Sequence, residues 1–270
     1  MARGPARTVT PRRVALGGVG LEYVTHGDLG SAGPTLVFLH EGLGCVAMWR
    51  DFPAKVAAVT GAGVLVYSRQ GYGGSDAILL PRPLTYMHRE AEEVLPLLLQ
   101  TLGIDDAVLV GHSDGGSIAL IFAGSPRVDP SVRARVRGLV LMAPHVFCED
   151  LSVASIREVR GAFTGGDLRA KLARYHGANV DGAFWGWNDA WLDPAFREWN
   201  LEEFLPEVRS PVLTIQGADD RFGTLAQVEA IEKGVGGPFQ RLILEGCGHD
   251  PAREATSVTI DAIGDFVASL

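Results

Sequence analysis

The sequence predicts an α/β fold: a mostly parallel, twisted sheet of about eight strands with helices on both faces and one inserted helical cap. Three observations predict it. Short apolar runs rich in Val, Ile and Leu recur along the chain, helical patterns separate them, and one long stretch breaks the alternation. Strand–helix alternation at this spacing implies right-handed crossovers and a sheet covered on both sides.

The elements follow in order. The basic opening "MARGPARTVTPRR" has no apolar core segment, so it does not read as a secretory signal; it reads as a frayed terminus, with a transit-peptide remnant as the alternative. "LEYVTHG" (Leu21 to Gly27) alternates in polarity and suits an antiparallel edge hairpin. "TLVFLH" (Thr35 to His40), "GVLVYS" (Gly63 to Ser68) and "AVLVGH" (Ala107 to His112) are nearly continuous in apolar residues. So are "RGLVLMAP" (Arg137 to Pro144), "PVLTIQG" (Pro211 to Gly217) and "QRLILEG" (Gln240 to Gly246). That pattern marks parallel strands buried on both faces. Helices are expected at Tyr86 to Leu102, kinked by Pro96, at Gly116 to Gly124 and at Ala252 to Leu270. Between Phe147 and Leu205 no such strand occurs, while four of the five tryptophans do. Residues 1–146 and 206–270 are therefore expected to form the two parts of the core, with 147–205 as the cap.

Composition bounds the function. The chain has 270 residues, 47% of them hydrophobic and 21% charged, which excludes a disordered chain. A formal net charge of −8 gives no footprint for nucleic acid or an anionic membrane. No apolar run reaches the length of a membrane span. Three cysteines (Cys45, Cys148 and Cys247) do not read as a disulfide framework, so a cytoplasmic protein is expected, as monomer or homodimer. There is no clustered Cys/His spacing and no phosphate-binding glycine loop, so neither metal nor cofactor is expected.

The chemistry centres on Gly111-His112-Ser113-Asp114-Gly115. This G-x-S-x-G run lies between an apolar strand and an apolar helix. A reversal that sharp strains the serine and crowds its neighbours, and glycines at 111, 115 and 116 remove the collisions. The hydroxyl is then held clear of the sheet, beside a helix N-terminus that favours developing negative charge. A serine needs a base, and the base needs an orienting acid. Asp219 and Asp220 follow one late strand, and His249 follows the last.

Together these residues resemble the α/β-hydrolase family. "FLHEGLGCVAMW" is similar to its oxyanion loop, "SRQGYGGSD" to its D-x-x-G-x-G-x-S stretch, and "GHDPARE" to its G-H-x-P-x-x-E ending. The resemblance covers residues 20–145 and 206–270. It implies Ser113 as nucleophile and His249 as base, with the family's spacing favouring Asp220 over Asp219 as the acid. It also implies backbone oxyanion donors at Asp114 and at Gly42, with Leu43 possible because His40-Glu41 replaces the usual H-G pair. The Asp114 carboxylate is expected to face away from the site. His145, Trp185, Trp187 and Trp191 are expected to line the substrate pocket. The expected reaction is hydrolysis of a small or medium, largely apolar carboxylic ester. Carbon–carbon hydrolysis of ring-cleavage products and a slow-turnover ligand receptor are the alternatives.

Overall fold

The apolar runs become strands because each can bury both faces at once. The structure, a computed structural model, describes residues 10–30 and 33–270. The strands are β1 (Arg12–Leu16), β2 (Val19–His26), β3 (Thr35–Leu39), β4 (Val64–Tyr67), β5 (Ala107–His112), β6 (Val136–Met142), β7 (Val212–Gly217) and β8 (Phe239–Leu244). Among the described residues they form one eight-stranded sheet in the order β1-β2-β4-β3-β5-β6-β7-β8. The β1/β2 and β2/β4 pairs are antiparallel, and the remaining pairs are parallel.

β1 departs from the sequence expectation. Arg12 and Arg13 belong to the opening read as frayed, yet they start a strand, because Val14 and Leu16 reach the core. Gly17 and Gly18, both at positive φ, turn the chain into β2. Most of the opening, residues 1–9, lies outside the described residues.

Side-chain alternation along the central strands splits the core in two. Val37, Leu39, Leu65, Tyr67 and Leu109 face one side. Leu36, Phe38, Val64, Val66, Val108 and Val110 face the other. The helices are α1 (Phe52–Thr60), α2 (Tyr86–Arg89), α3 (Leu95–Thr101), α4 (Asp114–Gly124), α5 (Pro130–Arg133), α6 (Asp150–Gly165), α7 (Leu168–His176), α8 (Val180–Leu192), α9 (Leu225–Gly234), α10 (Pro251–Glu254) and α11 (Thr256–Ala268). α3, α4 and α8 pack on the first face, α1 and α11 on the second.

Two expected helices are subdivided. The kink expected at Pro96 takes the form of a π-helical turn over Glu90–Val94 between α2 and α3. Proline lacks the N–H that an uninterrupted α-helix would need there, and it is tolerated in the first turn of α3. Ala255, at φ −133, separates α10 from α11.

The stretch without strands, between β6 and β7, holds α6, α7 and α8. Phe147 pairs with Asn200 at its base. Gln227 of α9 accepts hydrogen bonds from the Val146 and Phe147 N–H groups, which fixes where the segment leaves the sheet.

α4 sets the depth of packing. All of its residues are buried, so it has no solvent face. At Gly124 an added Cβ would lie 2.2 Å from the Phe204 carbonyl oxygen. Gly124→Ala is therefore expected to destabilise the protein by about 1–3 kcal/mol. Gly165→Ala, where nothing lies within 4 Å, is expected to leave the midpoint nearly unchanged. Thermal unfolding of the two variants side by side checks this.

Candidate active site

The turn after β5 is as tight as its glycines suggest. Ser113 sits at φ 53, ψ −117, a conformation rare for a residue with a side chain. A Cβ at Gly111 would meet the Gly115 carbonyl oxygen at 2.3 Å, and one at Gly115 would meet that of Leu39 at 2.0 Å. Only glycine lets the helix start this close to β3 and β5.

Three loops converge on the turn. His249 Nε2 lies 3.0 Å from Ser113 Oγ. His249 Nδ1 lies 2.8 Å from Asp220 Oδ2. The ring is thus placed to donate from Nδ1 and to accept the serine proton at Nε2. Asp220 is further held by the Gln216 side chain at 2.7 Å and the Phe222 N–H at 2.7 Å. Burial pushes its carboxyl up, but the His249 hydrogen bond and charge, with the Phe222 and Gln216 donors, hold it below the usual value. Asp219 is exposed, so Asp220 is the carboxylate that reaches the imidazole. His112 donates to the His249 carbonyl oxygen at 2.7 Å and steadies the last loop.

The loop after β3 holds Gly42 and Leu43, the two positions expected there as oxyanion donors. The Gly42 N–H makes no hydrogen bond to another described residue. Leu43, the alternative, does not have a free donor: its N–H is taken by the Glu41 carboxylate. At Gly42 a Cβ would lie 2.1 Å from Trp187 Nε1, so α8 rests directly on this loop. His176 of α7 ties the loop from the same side. Its Nδ1 accepts the Gly73 N–H at 3.0 Å, which leaves Nε2 to donate to the Leu43 carbonyl at 2.8 Å.

Asp114 is more engaged than the sequence suggests. It is fully buried, its Oδ2 accepts the Tyr86 hydroxyl at 2.6 Å, and Arg69 lies 3.7 Å away. Tyr86 in turn accepts the Trp191 indole N–H at 3.1 Å, a chain from α8 to the residue after Ser113.

A cavity of about 100 Å³ opens on Ser113 and His249. Its walls are Glu41, Gly42, Leu43, Asp114, His145, Ser152, Ile156, Val159, Trp187, Trp191 and Phe222. Of the expected pocket residues, His145, Trp187 and Trp191 are there and Trp185 is not. Trp187 and Trp191 are four residues apart on one face of α8, whereas Trp185 points roughly the other way. Trp185 packs edge-on against Phe163 and Phe184 under the Arg160 guanidinium. Glu41, Ile156, Val159 and Phe222 line the cavity without a sequence signal, as does Ser152.

The profile of the Alpha/beta hydrolase family matches residues 36–262. The chain belongs to that family. Within it, the chain is similar to a 2-hydroxy-6-oxononadienedioate/2-hydroxy-6-oxononatrienedioate hydrolase from Paraburkholderia phymatum, 37% identical over 121 residues. That match covers 44% of this chain and only 39% of the relative's length. The fold is similar to that of the enol-lactonase from Burkholderia xenovorans, with a TM-score of 0.68 at 20% identity, covering 95% of this chain and 100% of the other. It is also similar to that of an esterase from a Rhodococcus species, with a TM-score of 0.70 at 21% identity, covering 97% and 99%.

Cys45, Cys148 and Cys247 of this hydrolase are free thiols. Burial pushes Cys45 up to about 12 and Cys247 up to about 11, so neither is a ready thiolate at neutral pH. Among the described residues no cluster of His, Cys, Asp or Glu is arranged to hold a metal ion. No helix among them is long and apolar enough to cross a membrane.

The buried imidazoles set an acid limit. Burial pushes His112 down to about 4 and His145 down to about 3, from 6.5. An unfolded chain takes up these protons near pH 6.5 and the folded one does not. Their contribution is therefore complete above that pH and is lost as the pH falls toward 4 and 3. The unfolding midpoint is expected to drop across that window, and less steeply in His145→Asn. Melting curves at a series of acid pH values check the sign.

Proposed function

We propose that this hydrolase cleaves a small carboxylic ester through an acyl-enzyme on Ser113, with residues 147–205 as a cap over the site. The carrying observation is the hydrogen-bonded series Ser113–His249–Asp220 opening into a cavity whose walls, among the described residues, hold no arginine or lysine.

The reaction follows from the atoms. Ser113 Oγ attacks the ester carbonyl carbon while its proton passes to His249 Nε2. The carbonyl oxygen becomes an oxyanion facing the Gly42 and Asp114 N–H groups at the start of α4. As the carbon–oxygen bond breaks, His249 returns the proton to the leaving alkoxide, which departs as an alcohol. A water then attacks the acyl-enzyme, giving its proton to His249. As the acyl bond breaks, His249 returns that proton to Ser113 Oγ, and the carboxylic acid leaves and gives its own proton to solvent. Asp220 keeps the imidazole in the right tautomer and stabilises its charged form.

Carbon–carbon hydrolysis is the second reading, favoured by the name of the Paraburkholderia relative. That name denotes a dicarboxylate, which would ask for a cation at the site. Four arginines are candidates; three are engaged elsewhere, and the fourth, Arg157 of α6, is exposed and lies outside the cavity walls. Arg69 is buried on the His40 and Glu41 carbonyls, Arg160 pairs with Asp189, and Arg197 pairs with Asp150. The absence of a cation from the cavity walls therefore favours the ester.

Wild-type protein is expected to turn over p-nitrophenyl acetate, and Ser113→Ala to lose roughly 10³-fold or more of that rate. Retained activity in the variant would refute the assignment. A 2-hydroxy-6-oxodienoate hydrolysed faster than the ester would reverse the order of the two readings.

A further inference from the structure

The walls of the Ser113 cavity carry two carboxylates and, among the described residues, no arginine or lysine. Asp114 and Glu41 both line it, with the rings of Trp187, Trp191 and Phe222. We propose that the acyl part of the substrate carries an ammonium group beside the scissile carbonyl, held by the Asp114 and Glu41 carboxylates against the indole rings. The substrate class is thus a short α-aminoacyl ester. This rests on the ester-hydrolase reading and narrows it.

Asp114 supplies the main reason. It is completely buried, and a carboxylate offers about four acceptor sites. Among the described residues one hydrogen bond reaches it, from Tyr86 to Oδ2, while Oδ1 has no partner. Arg69 does not fill the gap. Its Nη1 and Nη2 donate to the His40 and Glu41 carbonyl oxygens, and its contact with Asp114, at 3.7 Å, is an ion pair only. A buried carboxylate so lightly satisfied is suited to a ligand that brings donors.

Position supplies the second reason. Asp114 is also the residue whose N–H faces the proposed oxyanion. A nitrogen on the acyl α-carbon lies two bonds from the reacting carbon and three from its oxygen. One residue can then hold the carbonyl with its backbone and the amine with its side chain. The Trp191–Tyr86–Asp114 hydrogen bonds fix that side chain in advance.

Glu41 adds to this wall. Burial pushes its carboxyl up to about 7, with Asp250 and Asp114 adding to the rise and the Leu43 N–H and His249 opposing it. An arriving cation favours its ionised form. Aromatic faces add attraction for a desolvated ammonium. An anionic ligand meets the reverse conditions, so the carboxylate formed on hydrolysis is repelled and released.

The test uses two esters of nearly equal shape, benzyl 2-aminopropanoate and benzyl 2-methylpropanoate, near pH 6.5 so that the amine is protonated. In the wild type, kcat/KM for the amino ester is expected to exceed that for the neutral ester by roughly 10- to 100-fold, the worth of one charge-assisted hydrogen bond. Asp114→Asn is expected to shrink that ratio about tenfold or more. Should the variant not fold, propylammonium is expected to inhibit wild-type hydrolysis of the neutral ester competitively and more strongly than 1-propanol. Equal handling of the two esters, or equal inhibition by the two small molecules, overturns the proposal and leaves the ester-hydrolase reading standing. Turnover of neither ester overturns both.

Discussion

The approach of α4 to the centre of the sheet is the constraint on which the site depends. The Leu39 carbonyl and the Gly115 backbone leave no room for side chains at 115 and 111, and Pro144 leaves little at 116. The chain can turn there only by placing Ser113 at φ 53, a conformation that costs about 1–3 kcal/mol. Burial of the apolar residues of α4, from Ile118 to Ala123, offsets that strain. The hydroxyl is held in place by the packing of a whole helix, not by contacts of its own. Its one side-chain partner among the described residues, His249, comes from a loop more than a hundred residues later in the chain.

The second dependency runs from the helical segment to the loop after β3. Trp187 lies against Gly42, and His176 bridges Leu43 and Gly73. On the sheet side, His40 accepts the Arg69 N–H at Nε2 and donates from Nδ1 to the Glu41 carbonyl. The loop is thus gripped from both layers. Whatever displaces α7 or α8 also displaces the Gly42 N–H, so access to the cavity and geometry at the proposed oxyanion are linked through the same contacts. Arg69 ties this loop to Asp114 as well, which joins the two proposed oxyanion donors through one buried guanidinium.

Much of this was legible in the sequence, and the reasons differ by residue. The parallel strands were readable because burial on both faces forces continuous apolar runs. Ser113, Asp220 and His249 were readable because each sits just past such a run, where loops of this fold meet. β1 was hidden because Val14 and Leu16 are too few to outweigh the arginines beside them. Trp185 was misread as a pocket residue although helical geometry sets it opposite Trp187 and Trp191; the four-residue spacing carried the answer. Tyr86 and His176 were not readable at all. Their roles come from contacts across 28 and 133 residues of chain, and no local pattern marks such pairs. The Asp114 carboxylate was expected to face away from the site. Its actual setting follows from Tyr86 and Arg69, whose approach only the folded chain reveals.

Acyl transfer develops negative charge at the carbonyl oxygen, yet carboxylates stand in the cavity wall. The two facts are compatible because they concern different atoms. The Asp114 N–H belongs to the positive end of α4, and the side chain of the same residue is turned toward Tyr86 and Arg69. Unit charges about 4 Å apart interact by roughly 4 kcal/mol at an effective dielectric near 20, so the guanidinium offsets much of what the carboxylate would do to a nearby oxyanion. That offset reaches only as far as Arg69 does, and Arg69 sits behind Asp114 with its outer nitrogens committed to backbone carbonyls. In the proposed reaction the backbone therefore serves the transition state, while the side chains select what enters, and a residue with a neutral side chain at 114 could perform the first task but not the second.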